Sequence, residues 1–152
     1  MRSFFLQPIL AILLALPAMA HEITHGPLQI IHPTIPAPRP GAKAAAGYMA
    51  ISNNGDSAEY LLAIEPSFAD AAEVHKSEMQ DGIARMVPVG VLEIPADDTV
   101  VLEPGGLHVM FFDPKGPFEP GEELPVTLIF ENEGPVPVGF LVGAYGESHE
   151  GH

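Results

Sequence analysis

The sequence predicts an all-β domain, a Greek-key β-sandwich or barrel, and three observations carry that prediction. Seventeen prolines and fifteen glycines punctuate the 152 residues. Long segments with the 3.6-residue apolar period of a helix are missing. Short strand-like runs recur instead between turn signals, the pattern of many short strands in one domain.

Taken in order, the first twenty residues stand apart from the fold. Arg2 precedes a nearly unbroken apolar run as far as Pro17, and Ala18-Met19-Ala20 has the small-x-small form that signal peptidase reads. The run is short for a membrane span, and no later segment is long and apolar enough to be one. Residues 1–20 are therefore read as a signal peptide. The mature chain is expected to begin at His21, to be exported to the periplasm and not to insert into the membrane. Residues 21–27 are expected to form a flexible lead-in, 28–142 the folded domain and 143–152 a flexible tail.

Strand-like runs fall at residues 28–32, 47–53, 60–65, 72–75, 84–89, 99–102, 108–112, 126–131 and 136–142. Asn54-Gly55 predicts a hairpin between the second and third of these. Asp81-Gly82 marks the turn between the fourth and fifth, and Pro104-Gly105-Gly106 the turn entering 108–112. Residues 33–41 carry too many prolines for a central strand and are expected to be an extended loop.

Composition narrows the chemistry. Twenty acidic residues against six basic ones give a formal charge of −14, and loss of Arg2 with the signal peptide makes it −15. Such a surface repels nucleic acid and anionic membranes and favours cations or basic partner faces, or serves solubility alone. Cysteine is absent. That removes disulfides, cysteine nucleophiles and every thiolate metal site, including the type-1 copper site. Neither a G-x-S-x-G elbow nor a glycine-rich phosphate loop is present, so the chain does not read as an enzyme.

Four residues form the candidate metal site: His75, Met86, His108 and Met110. His108 and Met110 lie two apart in a strand run, so they project from one face. Imidazole and thioether are borderline-to-soft ligands. Thioethers select copper(I), whereas calcium and magnesium want oxygen and zinc rarely takes methionine. A lone methionine in a strand is more often core filler, and a lone histidine more often structural. Their conjunction is what points to a metal.

The spacing H-x10-M-x21-H-x-M of these four residues resembles the signature of the periplasmic PCu(A)C copper chaperones. Residues 45–53, AAGYMAISN, resemble that family's first core strand. Val74-His75 with Asp81 to Met86 is similar to its middle segment, and residues 102–110, LEPGGLHVM, to its turn leading into H-x-M. The resemblance spans roughly residues 28–142. It implies a cupredoxin-like β-sandwich that binds one copper(I) at an exposed rim. It further implies delivery to a copper centre of cytochrome c oxidase, alongside or through Sco-type proteins, by a protein expected to be a monomer. His32-Pro33 departs from the aromatic residue and arginine that members of that family commonly carry in the first strand region. His32 itself is assigned no role.

Met79, four residues after His75, is a spare thioether. The termini offer a different set: His21 with its α-amine after cleavage, His25, His149 and His152. Nitrogen and carboxylate donors favour copper(II), so a second copper(II) site at the termini stands beside the plain reading that the ends simply carry histidine. Two further function classes stay open. One is a periplasmic copper buffer or resistance protein that relies on those termini, and the other is a metal-free interaction module.

Overall fold

The computed structural model describes residues 21–143, and its elements are all strands. They are β1 (Glu22–His25), β2 (Leu28–Pro36), β3 (Ala44–Asn53), β4 (Glu59–Pro66), β5 (Ala71–Gln80), β6 (Ile83–Pro88), β7 (Leu92–Ile94), β8 (Asp98–Leu102), β9 (Leu107–Phe112), β10 (Glu123–Phe130) and β11 (Gly134–Gly143). Hydrogen bonding runs β1-β2-β11-β10-β4-β5-β9-β3-β8, with β6 beside β5 and β7 beside β4. Because β2 also pairs with β3, the sheet closes on itself. The two layers, β11-β10-β4 and β6-β5-β9-β3, join at β2 and at the single registered pair Ile64–Ala72. This is the expected all-β sandwich, with its layers continuous at the seams.

Period-2 alternation fixes the inward face. Along β10, Leu124, Val126, Leu128 and Phe130 are buried, and along β11, Val136, Val138, Phe140 and Val142. In β2 the buried positions are 28 and 30, then 33 and 35. The phase changes at His32-Pro33, where the register with β3 shifts and His32 takes φ +47°. This bulge turns β2 from its β1/β3 pairing toward β11, which it meets in parallel. Gly47 allows a close approach: a Cβ there would stand 2.6 Å from the Phe111 ring, which packs edge-on against Phe140 at 5.3 Å.

Four expectations need correction. Residues 22–25 form strand β1 on the edge of β2, so the lead-in is not loose there; Gly26-Pro27 makes the turn, and Ile23 packs on the core. The proline-rich stretch is strand as far as Pro36, because Pro33 sits at the bulge and Pro36 at the end of the strand, where a residue that cannot donate is tolerated. Asn54-Gly55 closes no hairpin, since β3 and β4 lie in different layers. There Asn53, buried, accepts from Gly55 N and donates to Ser57 O and Ile94 O, steering the crossing. Finally, β5 runs five residues past His75, and short β7 joins the elements expected from sequence.

One buried carboxylate organises the far turn. Glu59 accepts from Tyr60 N, Asn132 N, Asn132 Nδ2 and Glu133 N at 2.9–3.1 Å. Burial alone would raise its pKa, but the backbone donors of Asn132, Tyr60 and Glu133 and the Asn132 amide outweigh it. The group is held below its ordinary value.

Candidate metal centre

The site lies on three adjacent strands, β6-β5-β9. Asp81 and Gly82 both take positive φ, +52° and +76°, which is the requirement of a tight type I′ hairpin between β5 and β6. Beyond Ser77 this hairpin leaves the body of the sheet as an arm, and every residue of β6 is exposed. In antiparallel register, residues directly opposite share a face. His75 faces His108 across β5-β9, Glu73 faces Met110, and Ser77 faces Met86 across β5-β6. His75 is therefore the hub. His108 is directly opposite, and Met110 and Met86 are its diagonal neighbours on either side, at a typical separation of about 7–8 Å, within reach of long side chains.

Burial grades across the set. His108 and His75 are 3 % and 9 % exposed, Met110 is half-buried, and Met86 is 58 % exposed. The two imidazole rings lie 6.1 Å apart between centroids, with Phe112 beside His75 at 5.8 Å.

Each ring is anchored through one nitrogen. His108 Nδ1 lies 3.1 Å from the Gly106 carbonyl, which can only accept, so Nδ1 carries the proton. Gly106 O also accepts from Ser77 N at 3.2 Å and so braces the turn on β5. His75 Nε2 lies 3.0 Å from Glu73 Oε2 and donates to that carboxylate. The other nitrogens, His75 Nδ1 and His108 Nε2, are the buried side-chain polar atoms without any partner among the described residues. A buried polar atom left unpaired costs roughly 1–3 kcal/mol, so two on one face call for an explanation. Metal-ligating histidines show this arrangement: the distal N–H is held by a carboxylate or carbonyl, and the remaining lone pair is left free for the ion.

Donor chemistry limits what such a site can take. Among the described residues, no group of three or more His, Cys, Asp or Glu is placed to hold a metal. Two imidazole nitrogens with thioethers nearby are a soft-to-borderline set.

The other histidines among the described residues lie away from this site. His21 Nε2 lies 3.1 Å from Gly139 O and its Nδ1 3.4 Å from Glu123, whereas His25 Nε2 is 3.7 Å from Glu133. At about 3.3 Å per strand residue, His21 and His25 stand about 13 Å apart. The structure does not bring them together. His32 donates its backbone N–H to His21 O at 2.8 Å, within the bulge. His149 and His152 lie outside the described residues. Glu73 was not singled out from sequence, although its place two residues before His75 puts it on the same face.

An all-β sandwich presenting a histidine/methionine cluster at the base of a projecting hairpin defines a class of small, open, soft-metal-type binding domains. The chain belongs to the LpqE-like family ("Putative lipoprotein LpqE-like"), which matches residues 28–142, and its fold is that of the PCuAC domains. The apo PCuAC domain from PmoF1 is 31% identical with a TM-score of 0.70, over 82% of this chain and 99% of that one. The copper-bound PCuAC domain from PmoF2 is 27% identical at a TM-score of 0.70, over 82% and 98%. The copper(I) form of DR1885 from Deinococcus radiodurans is 25% identical at 0.58, over 86% of this chain and 83% of that one.

Proposed function

We propose that this protein is an exported copper(I) carrier that acts in the periplasm. His75 Nδ1 and His108 Nε2 would bind the ion, with the Met86 and Met110 thioethers completing the set. A partner would take the ion by displacing these ligands one at a time, and the protein itself needs no redox chemistry. The observation that carries the reading is the pair of unpartnered imidazole nitrogens on one face, each fixed in tautomer by a bond at its other nitrogen. Copper-bound structures of PCuAC domains support the choice of metal, and the copper(I) form of the Deinococcus protein supports the oxidation state. The partner is read, from the family, as a cuproenzyme under assembly, either the copper-centre subunit of cytochrome c oxidase or a Sco-type protein that serves it.

An anaerobic copper(I) titration of the mature chain against a chromophoric chelator tests this. One tight equivalent is expected, lost in a Met86→Leu, Met110→Leu double variant and kept when residues 144–152 are removed. Binding that survives methionine removal and vanishes with the tail would overturn the four-residue site and favour the buffer reading, in which the termini hold the metal.

A further inference from the structure

The four-ligand set leaves one thioether on the same face unused. Met79 lies four residues beyond His75 on β5, so His75, Ser77 and Met79 all project from one side of the strand. Across the hairpin, Met79 is opposite Ala84, and Met86 is opposite Ser77. Met86 is thus diagonal to both His75 and Met79 and can reach toward either. Met79 is 71 % exposed and packs into no part of the core. Nothing in the folding of this arm calls for an apolar side chain there, since a β-favouring polar residue would serve a solvent-facing strand as well. Soft donors therefore run along one face from solvent to interior: Met79, Met86, half-buried Met110 and the buried imidazoles.

The geometry points to a second, transient metal station at the tip of the arm, made of the Met79 and Met86 thioethers, through which copper(I) enters and leaves. This rests on the reading that His75, Met86, His108 and Met110 hold copper(I). The buried imidazoles lie about 13 Å down the strand from Met79, so a partner's ligands meet the arm before they meet the site. Copper(I) tolerates two or three ligands, which lets the ion shift stepwise with Met86 bound throughout. Each step makes one bond from copper to sulfur or nitrogen and breaks another. The ion stays copper(I), and no proton moves, because thioethers carry none and the receiving imidazole nitrogens are already bare.

A ligand engaged only in passage changes rates and leaves the equilibrium alone. The test is anaerobic stopped-flow transfer of copper(I) between a chromophoric chelator and the mature chain, with and without Met79→Leu. Affinity and the single equivalent are expected to be unchanged. Uptake and release should both slow by about tenfold, the effect of losing about 1.4 kcal/mol of stabilisation in the transition state alone. Adding Ala84→Met to Met79→Leu restores a thioether on the same face at the arm's tip and should recover the rate, which a merely structural role for Met79 would not predict. Unchanged rates in Met79→Leu overturn the proposal. So does a lost equivalent, which would make Met79 a resident ligand. A Met110→Leu variant that keeps full affinity would separately sink the four-ligand site on which the station depends.

Discussion

Two buried polar clusters in this molecule are built to opposite rules. Glu59 is 4 % exposed, and its two oxygens receive four N–H donors, so nothing about it is left open. His75 and His108 are buried to a similar degree, yet each keeps one nitrogen bare. A satisfied buried charge ties a turn to the core. A half-satisfied pair costs stability in the free protein, and under the proposed function that cost is regained when the ion binds. The contrast sets a fully paired cluster against one that keeps two nitrogens open.

The sharpest way to break this comparison is at the bare nitrogens. Under the proposed function, His108→Ala should weaken copper(I) binding by about a thousandfold or more, beyond the roughly 10–100-fold typical of losing an outer-shell partner. A chelator competition that shows little change would leave the orphaned nitrogens unexplained.

At the satisfied cluster, Glu59→Ala strands the backbone donors of Asn132 and Glu133 and should cost about 3 kcal/mol, read in urea unfolding. The same carboxylate gives the fold an acid limit. Its folded pKa lies below its unfolded value, so its contribution is complete above about pH 4.5 and is lost as pH falls through the folded pKa. In Glu59→Gln that part of the acid sensitivity should disappear, and a melt series from pH 6 downward checks it.

Glu73→Ala sits between the two rules, since it frees His75 to turn and exposes its second nitrogen. Copper(I) affinity should fall about tenfold, with the fold's stability nearly unchanged because the carboxylate is half-exposed. The smallest effect is the most diagnostic. His108→Leu removes an unpaired buried polar atom, so the metal-free protein should be as stable as the parent or more stable by about 1 kcal/mol. A clear loss of stability would mean that the histidine is structural after all.

Much of this was legible in the residues. The runs at 126–131 and 136–142 marked the last two strands, and Asp81-Gly82 marked the hairpin that carries Met86. The two-residue spacing of His108 and Met110 put both on one face, as the structure shows. What escaped were long-range effects. β1 has little strand signal of its own and forms because β2 offers it an edge. The Asn54-Gly55 signal was overridden because Asn53 spends its side chain on Ser57 and Ile94, in another layer. Glu59 and Glu73 read as two acidic residues among twenty until their partners were in place.

The sequence by itself determined the class of fold, the absence of thiol chemistry and the candidate set of histidine and methionine residues, because these depend on residue type and on spacing along the chain. Only the tertiary structure decided that β2 closes the sheet, that His75 is the hub between β6 and β9, and that one nitrogen on each imidazole is bound and the other bare. Those outcomes depend on which strand lies beside which, and that is set by burial and hydrogen bonding between residues far apart in the chain.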